Sequence, residues 1–340
     1  MIKKVMLGMI LPLTVATSSF ALPNLSIYAT GGTIAGSSSS NTDTSKYSVA
    51  TLNVDKLING VPELQNIANV KGYQISSVDS NDVSTQIKLK LANQINQDLA
   101  GDTEGVVITH GTDTLEETAY FLSLTTFSNK PIVLVGAMRP STALSADGYM
   151  NLLQAASVAT HPQSKNRGVM TVMNDRIGSG YYITKMQANT PDAFRSEESG
   201  YYGQMVGLDP HFYYTPQMPI NMSKFDVSKV TELPKVEIIY GYQDTSPAQL
   251  DAAIAAGARG VVIAGTGAGS LSKPLLERVK QLTAKGFPVV RSTRVPSGYV
   301  DVSADEGIGS GFLNPQKSRI LLSLAIGSGY SMENIRQRFK

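Results

Sequence analysis

Short runs of β-branched and aliphatic residues recur along this chain, and each stops abruptly at a polar or glycine-rich turn. Val106-Val107-Ile108 is the clearest case. It follows Gly105 and runs into Thr109-His110-Gly111-Thr112-Asp113-Thr114, beyond which Leu115, Ala119 and Leu122 return at helical spacing. An apolar run without polar alternation fits a strand buried on both faces, as in a parallel sheet covered by helices. The turn then lies at the C-terminal end of its strand, the edge at which open α/β sheets bind ligands.

The unit repeats. Leu25 to Ala29 ends in Thr30-Gly31-Gly32-Thr33-Ile34-Ala35-Gly36, where two glycines let the backbone turn tightly and approach a ligand. The alternating stretch Gln74 to Val78 ends in Asp79-Ser80-Asn81-Asp82, Pro131 to Val135 in Gly136-Ala137-Met138-Arg139-Pro140, and Val169 to Met173 follows a helical pattern over Gly148 to Ala159. Between Ile177 and Phe225 the periodicity fades into hairpins and loops. A second alternation starts at Val236 to Tyr240 and continues through Val261 to Ala264, the turn Gly265 to Ser270, a helix from Pro274 to Lys285, and Val289-Val290. Ser246-Pro247-Ala248-Gln249 reads as a helix start with a capping serine. Strand and helix in alternation predict an α/β fold: a larger N-terminal doubly wound, mostly parallel sheet domain and a smaller C-terminal α/β domain. A chain of 340 residues suits two such cores. The expected division is a leader over 1–21, an N-terminal domain over 22–225, a linker over 226–235 and a C-terminal domain over 236–340.

The leader has the three parts of a secretory signal: Lys3 and Lys4, an apolar run from Val5 to Val15, and Ser19-Phe20-Ala21. Cleavage after Ala21 and a periplasmic location are expected. Losing those two lysines brings the 29 basic residues level with the 27 acidic ones. With no basic run left, neither nucleic acid nor an acidic membrane is an expected partner, and a small molecule is. No later stretch approaches the ~20 apolar residues of a spanning helix. The absence of cysteine excludes disulfides and thiolate chemistry.

Of catalytic groups, histidine is scarce: His110, His161 and His211 only, without G-x-S-x-G or H-E-x-x-H. His110 reads as a hydrogen-bonded structural residue. Neither G-x-G-x-x-G nor G-x-x-x-x-G-K-S/T occurs, so a nucleotide has little support. What gathers at the strand ends is hydroxyl: Thr30, Thr33, Ser80, Thr109, Thr112 and Thr114. A threonine attacks only when a base takes its proton, and a desolvated lysine can serve. Several of these residues also have plain readings. Asp113 with Glu116 three residues on suits a helix-capping pair, Ser80 or Asn81 suits a cap for the helix carrying Ile87, Leu91 and Ile95, and Lys185 suits a solvated surface. The serine-rich stretch 37–45, without an apolar anchor, reads as a mobile loop, or as a lid that carries Tyr47 over the first turn.

Ala29 to Gly36 and Ile108 to Thr118 together resemble the two signature segments of bacterial type II L-asparaginases, the periplasmic glutaminase-asparaginase family, and the likeness extends to Gly136–Asp147 and Leu313-Asn314-Pro315. The resemblance implies an amidohydrolase that converts L-asparagine to L-aspartate and ammonia through a threonine acyl-enzyme, with some L-glutaminase activity. It implies Thr33 as nucleophile assisted by Tyr47; Thr112, Asp113 and Lys185 as a second catalytic group; Ser80, Asn81 and Asp113 holding the substrate's α-groups; and backbone N–H donors near Thr112 and Ala137. It also implies no metal or organic cofactor, and a homotetramer of tight dimers in which a neighbour completes each site, with Glu306 or Asp301 as the acid supplied. Asn81 and Ala268 replace the Gln or Glu and the Asn that many relatives carry, and both positions bear on the asparagine-to-glutamine preference. A periplasmic solute-binding protein is the competing reading, since it shares the leader and the two α/β domains but needs no paired threonine turns.

Overall fold

The computed structural model describes residues 21–44, 46–217 and 222–340. Of the expected leader only Ala21 falls among them.

The chain opens with β1 (Asn24–Gly31), α1 (Val54–Asn59) and β2 (Asn69–Val78), then crosses through α2 (Thr85–Ala100) to β3 (Gly105–Thr109), through α3 (Leu115–Thr125) to β4 (Ile132–Val135), and through α4 (Gly148–Thr160) to β5 (Val169–Met173). Next come β6 (Arg176–Ser179), the two-residue strands β7 (Thr184–Lys185) and β8 (Phe194–Arg195), and β9 (Gly203–Val206) and β10 (Asp209–Phe212). Strands β2-β1-β3-β4-β5 run parallel in that spatial order, and β6, β9 and β10 extend the sheet antiparallel, while β7 and β8 pair apart from it. The chain leaves β1 toward β2 on one side and returns to β3 on the other. The sheet's switch point therefore falls between the C-terminal ends of β1 and β3.

Both faces are covered, which is why these strands read as unbroken apolar runs. Ile27, Val107 and Val133 pack toward α1 and α4, with Leu57, Leu152 and Ala156. Their neighbours Tyr28, Val106, Ile108 and Leu134 pack toward α2 and α3, with Leu91, Ile95, Ala119 and Leu122. Each fully buried aliphatic side chain contributes ~1.5–3 kcal/mol by leaving water.

The second unit is a parallel sheet of β11 (Val236–Tyr240), β12 (Gly260–Gly265), β13 (Val289–Thr293) and β14 (Ile308–Gly309). Helices α5 (Ala248–Ala255) and α6 (Lys273–Ala284) cover one face through Leu250, Leu275 and Val279. The other face is covered by α7 (Pro315–Gly327), whose Ile320, Leu321 and Leu324 also join the core of the first unit around α3, and α8 (Met332–Arg338) closes the chain. The two units thus share one core through α7.

Three expected caps are placed differently. Ser84 caps α2, its Oγ accepting from Ile87 N at 3.3 Å, and so leaves Ser80 and Asn81 in a separate 3-10 turn over Ser80–Asp82. Pro247, not Ser246, occupies the N-cap of α5, and no side chain there makes a cap bond. At α3 the N-cap is Thr114, and neither Asp113 nor Glu116 caps the helix. Both carboxylates turn toward the β7 segment instead, where a lysine and a backbone N–H give them charged or buried partners that a helix end exposed to water does not.

Candidate active site

The first turn begins at Gly31 and Gly32, with φ of +117° and +81°, conformations that only glycine adopts without strain. They swing Thr33 onto the switch point at the start of a 3-10 turn. Thr33 is buried, and its Oγ1 lies 2.8 Å from Tyr47 Oη. The serine-rich loop that carries Tyr47 back is tied rather than unanchored. Ser37 and Ser48 exchange backbone hydrogen bonds at 2.9 Å, Ser38 N donates to Thr142 Oγ1, and Leu144 N donates to Asn41 O.

The second turn lies directly against the first. A Cβ placed on Gly32 would sit 2.3 Å from Gly111 Cα, and one on Gly111 would sit 2.8 Å from Ser80 Cβ. Thr114 Oγ1 donates to Ser80 O at 2.7 Å, so all three polar turns meet. Ser80 is buried there, while the exposed Asn81 is held by Asp79, whose Oδ1 accepts from Asn81 N at 2.9 Å and Nδ2 at 2.8 Å.

Lys185 is not a solvated surface residue. Its side chain is 13% exposed, and its Nζ donates to Thr112 Oγ1 at 2.9 Å and to Asp113 Oδ1 at 2.6 Å. Asp113 is 59% exposed, which leaves it open to a ligand from solvent. Thr33 and Thr112 therefore each carry a hydroxyl with its own polar partner. Ala137 is fully buried and offers only its backbone. Among the described residues no hydrogen bond within the chain engages the N–H of Thr112 or Ala137.

His110 is structural, as expected. It is fully buried between Gly111 O at 2.7 Å from Nδ1 and Thr118 Oγ1 at 2.8 Å from Nε2. Because a carbonyl only accepts, Nδ1 carries the proton and Nε2 accepts from the threonine. Burial pushes its pKa down to about 4. Thr30 also stays in the framework, its Oγ1 bridging β1 to Thr109 O at 2.9 Å.

Two supporting residues had no signal beyond their polarity near a helix start. Asp147 clamps the Ala137 loop by accepting from Met138 N and Arg139 N, both at 3.0 Å, and Asn151 Nδ2 donates to Gly136 O at 3.0 Å. The candidate acids of the second unit are engaged within their own chain: Glu306 pairs with Arg291 at 2.8 Å, and Asp301 accepts from Val302 N. Among the described residues no cluster of three His, Asp or Glu offers a metal site. A surface hollow of about 920 Å³ near Asn24, Asn69, Asp98 and Asp102 lies at the N-terminal ends of β1 and β2, the opposite edge from this chemistry.

Comparisons with known proteins place the chain in a family. Residues 24–218 match the family described as "Asparaginase, N-terminal", and residues 235–339 match "Glutaminase/Asparaginase C-terminal domain". L-asparaginase 2 of Bacillus subtilis is 47% identical over 94% of this chain and 86% of its own length. L-asparaginase 2 of Escherichia coli is 44% identical over 95% of this chain and 94% of its own. The crystal structure titled probable cytoplasmic L-asparaginase, from Campylobacter jejuni, superposes with a TM-score of 0.90 at 42% identity, covering 93% of this chain and 99% of that one. With both halves matched in order and the switch-point turns in place, this chain belongs to the glutaminase/asparaginase family.

Proposed function

We propose that this protein is an L-asparaginase, hydrolysing the side-chain amide of L-asparagine to L-aspartate and ammonia through an acyl-enzyme on Thr33. The observation that carries this is the pair of partnered hydroxyls, Thr33 with Tyr47 and Thr112 with Lys185 and Asp113, on turns abutting at the switch point. The names of the relatives support the substrate.

In this reading Thr33 Oγ1 attacks the amide carbon while its proton passes to Tyr47 Oη, whose own phenolic proton is the one the leaving nitrogen takes. The N–H groups of Thr112 and Ala137 stabilise the oxyanion, a contribution of ~10²–10³ in rate. Collapse breaks the C–N bond, and the nitrogen takes up a proton and departs as ammonia. Water then attacks the ester, and the proton it gives up is handed through Thr112, oriented by Lys185, to Thr33 Oγ1. Thr33 regains its proton as aspartate leaves. The outward face of Asp113 receives the substrate's α-ammonium, and Ser80 and Asn81 receive the α-carboxylate. L-glutamine, one methylene longer, is a slower substrate. The working form is a periplasmic homotetramer, for which the exposed Tyr240, Tyr242, Tyr299 and Phe312 of the second unit supply apolar contact surface.

Mixing the purified protein with L-asparagine tests the reading. Release of ammonia by the wild type, its loss in Thr33→Ala, and an aspartyl mass on the Thr33 peptide after acid quench are expected. Stoichiometric binding without ammonia would return the chain to the solute-binding reading.

A further inference from the structure

Strand β7 spans only two residues and pairs only with the equally short β8, yet it carries Lys185. A lysine has four rotatable bonds beyond its Cα, so holding Nζ on Thr112 requires the backbone beneath it to be fixed. Beside the pairing with β8, further bonds that fix it come from outside the two strands. Glu116 Oε2 accepts from Lys185 N at 2.9 Å, Lys317 Nζ donates to Ile183 O at 2.6 Å, and Asn314 Nδ2 lies 3.4 Å from Thr184 Oγ1. Three consecutive residues, 183 to 185, are thus gripped. The other oxygen of Glu116 accepts from Gln316 Nε2 and from Asn314 Nδ2, and Asn314 Oδ1 caps α7 by accepting from Lys317 N at 3.0 Å.

We propose that Glu116 and the first turn of α7, above all Lys317, form a bracket that positions Lys185 on Thr112, so that the C-terminal unit of the chain controls the second catalytic group. The inference rests on the asparaginase reading given above.

Two observations favour positioning over packing. Glu116 and Lys317 are each 3% exposed in a core otherwise built from Leu115, Ala119, Ile320 and Leu321. Buried charges are costly there, and apolar side chains of similar volume pack at least as well. Moreover, both charged groups spend a hydrogen bond on the backbone that leads into Lys185. Burial pushes the Lys317 ammonium down to about 8, against the pull of Glu116 and Glu198. A misplacement of about 1 Å at a catalytic group lowers rates ~10²-fold, so the loss of either grip is read in the rate.

The test is a double-substitution cycle on the full-length protein, reading ammonia release from L-asparagine. Lys317→Met should lower kcat about tenfold or more while KM stays within about threefold. In a Lys185→Met background the same substitution should lower the residual rate less than about twofold, because there is no lysine left to position. Equal losses in both backgrounds, or an unchanged kcat, would overturn the bracket and leave Lys317 as a packing residue. Should Lys317→Met not fold, Gln316→Ala removes one donor from Glu116 at a partly buried position. It should show a smaller loss with the same dependence on Lys185, and equal losses would again overturn the proposal. A wild type that releases no ammonia removes the asparaginase reading, whereas an active wild type with additive losses removes only the bracket.

Discussion

Gly32 and Gly111 touch backbone to backbone: a Cβ on Gly32 would meet Gly111 Cα at 2.3 Å and Gly111 N at 2.4 Å. This contact brings the Thr33 turn and the Thr112 turn together, with nothing but hydrogen on either α-carbon between them. Gly32→Ala adds both a clash and a strained φ of +81°, and should lower the melting temperature steeply and abolish turnover. Gly111→Ala should be milder in stability, because its Cβ meets the side chain of Ser80 at 2.8 Å, but it should still cost most of kcat. Thermal melts and ammonia release on both variants check the ranking, and a fully active Gly32→Ala protein would contradict the contact.

Lys185→Met removes the donor at 2.9 Å from Thr112 and the partner at 2.6 Å from Asp113. A positioned acid–base group is worth ~10²–10⁴ in rate, so kcat should fall by about that factor with the melting temperature little changed. Initial rates at saturating asparagine measure it, and a loss of less than about threefold would remove Lys185 from proton transfer.

Tyr47→Phe deletes the only hydroxyl that the described residues place against Thr33 Oγ1. The expected outcome is a kcat reduced ~10²-fold without loss of fold, since the phenyl ring keeps its packing. If acyl-enzyme formation in a rapid-quench experiment is as fast as in wild type, Tyr47 is not the assisting group.

Burial of His110 lowers its pKa from 6.5 to about 4. The unfolded chain therefore binds more protons than the folded one between those values, and stability falls as pH drops from 6.5 toward 4. The effect amounts to ~3 kcal/mol at most. Urea midpoints of wild type and His110→Gln should diverge less at pH 4.5 than at pH 7; a constant difference between them would show that the histidine is not linked to folding.

Lys88 is 7% exposed, lies over the Phe121 ring at 5.6 Å, and is pushed down to about 8 by burial. Its folded pKa lies below the unfolded 10.5, so its penalty is complete below pH 8 and is relieved as pH rises to 10.5. Lys88→Met should therefore raise stability at pH 7, by up to ~3 kcal/mol, with the gain fading above pH 8. Differential melts across that range read the effect, and a destabilised variant at pH 7 would show that the ammonium is held by more than the attraction of Glu117 against the repulsion of Arg319.

Much of the site was legible because it sits where an apolar run ends. Thr33 and Thr112 each follow a strand whose residues are buried on both faces, and such strands advertise themselves as unbroken aliphatic runs. Lys185 carried no such signal: it lies on a two-residue strand in a stretch without periodicity, and only the resemblance to a family singled it out. The capping reading of Asp113 and Glu116 fails for a related reason. Their local spacing suits that role, while their actual partners are 72 and 69 residues away.

What the sequence determined by itself depends on neighbours a few residues apart: the strands, the glycine turns, the alternation that makes the fold α/β, and the hydroxyls at strand ends. Tertiary structure alone decided which of those hydroxyls face one another. The crossover that sets β1 beside β3 presses Gly32 against Gly111, and the docking of α7 on α3 brings Asn314, Gln316 and Lys317 to Glu116 and the Lys185 segment. The physical reason is range. Propensity and periodicity act within a turn or a strand, whereas burial, desolvation and hydrogen bonding act between whatever the chain folds together, however far apart in sequence.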